Sequence, residues 1–323
     1  MVSLSSTLGS LARRHPSSSL LLPDIPQTHT AAASAVLLSI LFTCIYVGVL
    51  YLHPLTRPSP RQSRDAPSVI RLRIRAVYTS CLITTASTVY ALRVLGGLDI
   101  PTTVKYMGIY PFNPLDVLKA LFLTAVLFIG PLAEKLWLDR DININNNINN
   151  NNSLLLDIKT SLSSWIGWRN YIVGPITEEI TFRSHILSLH LSVPHTSLTT
   201  LIFLTPLYFG IAHLHHFYEF KLTHPDVPLH FGLIRSLIQF SYTTLFGWFA
   251  SWVYLRFGSL WAAIAVHSFC NVMGLPRFWG SLDHQHPWKT WVYYTLLVVG
   301  AVGFYSGLWR WTDSPNSLIL HQM

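Results

Sequence analysis

The chain has 323 residues, of which 50% are hydrophobic and only 11% charged. An ordinary soluble domain carries about 25% charged residues, so the composition argues against a soluble enzyme and points to a polytopic membrane protein. The net charge of +8 comes from 22 basic and 14 acidic residues; no zinc finger or other nucleic-acid motif accompanies it, so it reads as cytosolic loop charge and no nucleic-acid partner is expected.

Residues 1–30 read as a disordered tail. Arg13 and Arg14 are followed by Ser, Pro and Thr rather than by an apolar core with a cleavage site, so the first apolar span is expected to stay as an anchor. A helix needs about 20 apolar residues to cross ~30 Å of hydrocarbon. Residues 32–52 meet this, as do residues 76–98, with Arg93 near one end where it can snorkel. Residues 116–138 form a third span. The asparagine tract 141–153 is expected to be a disordered loop. Residues 165–191 carry Glu178 and Glu179 and are too polar to face lipid. Residues 196–213 follow, then 234–255 and 259–275, joined by the turn Arg256-Phe257-Gly258. Residues 290–311 close the set, with Trp288, Trp291, Trp309 and Trp311 as interfacial anchors, and 316–323 read as a tail.

The expected fold class is all-α. It is a polytopic membrane helical bundle of about eight transmembrane helices around a buried polar cavity, with residues 31–315 as one domain. The loop 53–75 carries Arg57, Arg61, Arg64, Arg71, Arg73 and Arg75 against Asp65, which places it in the cytosol by the positive-inside rule and the N-terminus in the lumen. Cys44, Cys81 and Cys270 lie in apolar stretches and offer neither a disulfide framework nor a Cys-x-x-Cys metal site.

Three polar constellations stand out in this apolar chain. The first is Glu178-Glu179-x-x-x-Arg183. A charged side chain at the bilayer centre costs about 2.5–3.5 kcal/mol by insertion scales, so intramembrane acids read as functional. Glu179 and Arg183 are four residues apart on a helix, the spacing of an ion pair. Glu178 is turned about 100° away and is left to face a cavity. Packing of both acids around Arg183 is the structural alternative. The second constellation is Phe209-Gly-Ile-Ala-His213-Leu-His215-His216, where His213 sits near the end of an apolar run and His215 and His216 look like its wet rim. The third is His267-Ser-Phe-Cys-Asn271, whose imidazole and carboxamide share a helical face. As two N–H donors they suit an oxyanion hole, although helix–helix hydrogen bonding would use the same residues. Together, a carboxylate base, an imidazole and a donor pair on three helices are the parts for water-mediated amide hydrolysis.

Glu-Glu-x-x-x-Arg, Phe-x-x-x-His and His-x-x-x-Asn, in this order on apolar helices, resemble the type II CAAX prenyl endopeptidases, a family of glutamate-dependent membrane proteases. Trp168-Arg-Asn-Tyr, Gly174-Pro-Ile-Thr-Glu-Glu, Phe209-Gly-Ile-Ala-His-Leu-His-His and the string from His267 to Pro276 are similar to its eukaryotic Ras-converting branch. The resemblance covers roughly residues 165–276.

The resemblance implies removal of the last three residues from prenylated proteins ending in Cys-aliphatic-aliphatic-X, with Ras- and Rho-like GTPases and membrane lipid as partners. It implies the endoplasmic reticulum membrane, multi-pass, with the site open to the cytosol, and no metal or other cofactor. Carried over by position, Glu178 is the base, His213 holds the water, His267 and Asn271 form the oxyanion hole, and Glu179 and Arg183 support them. Phe182, Phe209, Phe269 and Met273 are candidates for the prenyl path. Three rivals remain at this stage: a zinc hydrolase using Glu178, His213 and His267; a thiol protease using Cys270; and a non-enzymatic transporter or scaffold.

Overall fold

The computed structural model describes residues 32–57, 59, 63–145, 159–283 and 285–319. The N-terminal tail 1–30 and most of the asparagine tract lie outside the described residues. The described chain is helical. Its elements are α1 (Ala32–Leu52), α2 (Pro67–Tyr90, widened over Ala91–Leu95), α3 (Ile100–Tyr106), α4 (Pro114–Leu127) and α5 (Ile129–Asn145). A composite helix α6 runs from Trp165 to Leu191, and α7 comprises Thr200–Leu204 and Pro206–Ala212. Then come α8 (His215–Thr223), α9 (Leu229–Phe257), α10 (Leu260–Met273) and α11 (Pro287–Arg310).

The all-helical membrane bundle expected from composition is what the chain forms; the count of eight spans is not confirmed. Among the described residues, α1 and α11 are each long and apolar enough to cross a membrane. The expected third span is broken: α4 and α5 meet at 74°. Gly130 and Pro131 follow the break, and proline cannot donate the backbone hydrogen bond a straight helix needs. Helix α5 continues to Asn145, into the segment expected to be a loop.

Helix α6 sits at the centre, and its neighbours hold it by polar contacts across apolar faces. Tyr46 of α1 meets Thr177 (3.0 Å), and Ser39 meets His190 (3.2 Å). Thr85 of α2 meets His185 (2.9 Å). Ser184 and Ser188 donate to the last carbonyls of α3, Met107 O at 2.7 Å and Tyr106 O at 2.6 Å. Lipid offers no hydrophobic drive between helices, so small polar residues and close packing do the joining.

Two proline sites shape the motif helices. In α6 the Gly174 N–H reaches back five residues to Arg169 O, just before Pro175. In α7 the Thr205 N–H likewise reaches Thr200 O, just before Pro206 (3.0 Å). Each widened turn lets the backbone pass a residue with no N–H while keeping its carbonyls bonded. Gly174 is required by its turn: a Cβ there would lie 2.8 Å from Arg169 O.

The expected tail from residue 316 needs correction. Ser314 and Asn316 donate to the buried Asp116 (2.8 and 3.3 Å), and Leu318 N donates to Leu255 O (2.8 Å). Leu318 and Ile319 are buried in the core. The folded unit therefore runs through residue 319, because its apolar pair is covered and its polar neighbours bond one oxygen of a buried carboxylate.

Candidate active site

The three constellations converge on one cavity of ≈ 810 Å³, which Glu178, His213, His267 and Asn271 all line. Glu178 keeps 22% of its side chain exposed there, whereas Glu179 is fully buried. The 100° offset on α6 thus divides the pair as its spacing predicts.

Glu179 Oε1 is shared by two donors. Arg183 Nη1 reaches it at 2.9 Å and His267 Nδ1 at 2.7 Å. The first contact is the expected (i, i+4) pair. The second is a tertiary contact that spacing does not reveal. Arg183 is itself buried, with its guanidinium 4.6 Å from the centre of the Phe209 ring and Nη2 donating to Gly247 O at 3.4 Å. The cation is therefore fixed by an anion, a carbonyl and a π face together.

His267 stands between the two glutamates. A carboxylate already accepting from Arg183 is an acceptor, so Nδ1–H of His267 is the donor, and Nε2 faces Glu178 Oε2 at 3.6 Å. In this tautomer the single N–H of a neutral His267 ring is spent on Glu179. His213 Nδ1 lies 2.8 Å from Phe209 O, and a carbonyl only accepts; the proton is therefore on Nδ1, and among the described residues no hydrogen bond takes the Nε2 lone pair. Asn271 donates one amide N–H to Asn170 O at 2.9 Å and keeps the second.

Of the proposed apolar residues, Phe182 and Phe209 line the cavity, while Phe269 and Met273 do not. Phe269 packs on Phe128 instead. On α10 the cavity takes His267, Cys270 and Asn271, the i, i+3, i+4 face. Phe269 is about 200° from His267 and Met273 about 240°, which turns them away. Cys270 lines the cavity, and among the described residues no hydrogen bond joins it to His267. Glu178, His213 and His267 do not gather their donor atoms as a metal site would; among the described residues the group that does is His215, His216 and Glu219.

His215 and His216 line the cavity rim as expected. His216 Nδ1 pairs with Glu219 Oε2 at 3.1 Å. Burial pushes the Glu219 carboxyl up, but the His216 hydrogen bond and the charges of Arg73 and Arg64 outweigh it and hold it well below the ordinary carboxylate range. Arg73 and Arg64 reach Glu219 at 2.8 and 3.0 Å.

A family model described as Type II CAAX prenyl endopeptidase Rce1-like matches residues 160–273, the stretch that holds all of these motifs. A fission yeast (Schizosaccharomyces pombe) protein named Probable CAAX prenyl protease 2 is 37% identical over 87% of this chain and 94% of its own length. The chain belongs to the type II CAAX prenyl endopeptidase family. The human CAAX prenyl protease 2 is 32% identical over 75% of this chain and 70% of its own length. For the Saccharomyces cerevisiae protein of that name the values are 30%, 72% and 78%. No solved structure matches.

Membership in the family leaves some cavity residues unexplained. Arg64, Arg73 and Arg169 also line the cavity, yet the first two read in sequence only as topology charge. Arg169 and Asn170 belong to the string Trp168-Arg-Asn-Tyr, which carries the resemblance but no predicted role.

Proposed function

We propose that this protein is an intramembrane endopeptidase that removes the last three residues of prenylated CAAX proteins, Ras- and Rho-like GTPases among them. Its place is the endoplasmic reticulum membrane, with the cavity open to the cytosol. The observation that carries the mechanism is the division of the glutamates: Glu178 faces the cavity 3.6 Å from His267 Nε2, while Glu179 is occupied by Arg183 and His267.

In this reading Glu178 takes a proton from water, whose second contact is Nε2 of His213. The hydroxide adds to the carbonyl carbon of the lipid-bearing cysteine itself, with the nitrogen of the next residue as the leaving group. The second N–H of Asn271 meets the oxyanion. His267 belongs to the same oxyanion site as Asn271, its ring held at Nδ1 by Glu179 (2.7 Å) with Nε2 3.6 Å from Glu178. Glu178 then delivers its proton to the leaving amine as the peptide bond breaks. The cavity's aromatic wall, Phe182 and Phe209 included, gives the prenyl chain an apolar path, and the lipid holds the substrate at the membrane.

The test uses purified full-length protein with prenylated and unprenylated CAAX peptides, with and without chelator. Glu178→Ala and His213→Ala each abolish cleavage of the prenylated peptide, and chelator leaves the wild type active. A normal rate in either variant sinks the mechanism. Activity lost to chelator and restored by zinc turns the reading to a metal hydrolase. A Cys270→Ala protein that folds but cannot cleave turns it to thiol chemistry.

A further inference from the structure

Glu178 is the one carboxylate lining the cavity among the described residues, whereas three guanidinium groups line it: Arg64, Arg73 and Arg169. The acids that pair with them, Asp65 and Glu219, lie outside the lining. Three cations therefore share two anions, and the surplus faces the cavity.

The arginines are not equally committed. Arg73 is 8% exposed and spends Nε on Thr56 O (3.0 Å) and Nη2 on Glu219 (2.8 Å), so it ties Thr56 and the first turns of α2 to α8. Arg64 keeps 42% of its side chain exposed and Arg169 20%. Arg169 uses Nε on Asn170 Oδ1 (2.9 Å) and Nη1 on Asp65 (2.8 Å) and on Arg64 O (3.3 Å). Arg64 uses Nη1 on Glu219 (3.0 Å). Among the described residues, no hydrogen bond occupies Nη2 of either.

Asn170 links the arginines to the chemistry. Its carbonyl accepts from Asn271 and its side-chain oxygen accepts from Arg169, each at 2.9 Å. One residue thus separates the oxyanion donor from the guanidinium. Three extended residues span about 10 Å, the stretch that lies between the cleaved bond and the chain end of such a substrate.

We propose that Arg64 and Arg169 bind the α-carboxylate of the substrate's last residue and so set the cut three residues from the chain end. The inference rests on the proposed function, which alone supplies a substrate ending at that distance. Guanidinium suits this role because it keeps its charge and offers a planar fork that a carboxylate matches. The arrangement distinguishes a terminal CAAX sequence from the same four residues inside a longer chain.

The experiment compares a prenylated CAAX peptide as free acid with the same peptide as C-terminal carboxamide, using the full-length protein in neutral phosphatidylcholine vesicles. The wild type favours the acid by roughly 10–100-fold in kcat/KM, the worth of hydrogen bonds to a charged group, and the difference sits in KM. In Arg64→Ala and Arg169→Ala the acid falls towards the amide's value. Arg169→Lys, which keeps charge without the fork, retains part of the preference, so the alanine result is not misfolding. Equal wild-type cleavage of acid and amide overturns the assignment while leaving the protease reading intact, as does a preference that survives in both alanine variants. Rates that rise with added phosphatidylserine equally for both peptides reassign the guanidinium groups to a lipid headgroup. Failure of the wild type to cleave either peptide sinks the proposed function and this site with it.

Discussion

Glu178 and Glu179 share a turn of helix and a neighbour, His267, but differ in surroundings. The first keeps access to the cavity, and the second anchors two side chains from its buried position. Arg183 and His267 meet on the same oxygen of Glu179, so that carboxylate orients the imidazole that faces Glu178. Glu179→Gln should lower kcat for the prenylated peptide with little change in KM, because it disturbs His267 rather than a substrate contact. It should also lower the thermal midpoint, since breaking a buried ion pair leaves an uncompensated charge, at a cost of about 3–5 kcal/mol. Removing both partners in Glu179→Gln with Arg183→Met should cost less than the sum of the two single changes. Thermal unfolding in detergent, with steady-state kinetics alongside, measures both. Additive losses would mean the pair is not coupled.

At the scale of elements, the site depends on close helix crossings. Helix α7 meets α9 where a Cβ on Gly210 would lie 2.3 Å from Thr244 Oγ1, and one on Gly247 would lie 2.8 Å from Pro206 Cβ. The approach seats Phe209 against Arg183 and Phe246 against His267, with ring centres 4.6 Å apart in the latter pair. Gly210→Ala should therefore destabilise the protein by about 1–3 kcal/mol through overpacking and should slow cleavage by shifting His213. Because the clashing atom is a side-chain oxygen, Thr244→Ala in the same protein should restore part of both losses. Absence of any rescue would place the crossing elsewhere. The widened turns before Pro175 and Pro206 belong to the same scale: each keeps a motif helix continuous where proline would interrupt it.

For the molecule as a whole, the loop 63–66 and the start of α2 are clamped onto α8 through Glu219. Its carboxyl is held below the ordinary range, so its contribution is present above the unfolded value near ~4.3 and is lost as pH falls through the folded value. The gap in thermal midpoint between wild type and Glu219→Gln should stay constant from about pH 7 to 5 and close in stronger acid, below about pH 4. A gap that widened as pH fell from about 7 to 5 would instead assign part of the clamp to protonation of His216 beside Glu219. The clamp joins two segments far apart in sequence at the cavity mouth. Arg64 and Arg73, which the sequence presents only as loop charge, thus line the cavity.

Much of this was legible from local patterns. Apolar content predicted a helical membrane bundle, because lipid requires every backbone group to be satisfied within the chain. Helical spacing predicted the Glu179–Arg183 pair and put His267 and Asn271 on one face, because contacts within four residues depend only on helix geometry. Other features lay beyond it. The His267–Glu179 bond joins residues 88 apart. The bend between α4 and α5, the orientation of Phe269 away from the cavity, and the docking of residues 316–319 follow from how helices pack. The same holds for Arg64 and Arg169, whose approach to Asn271 through Asn170 exists only when α6, α10 and the loop 63–66 are assembled. Sequence determined which groups carry charge and which face of each helix they occupy; tertiary structure decided which of them share a cavity, because partners on different helices are chosen by packing.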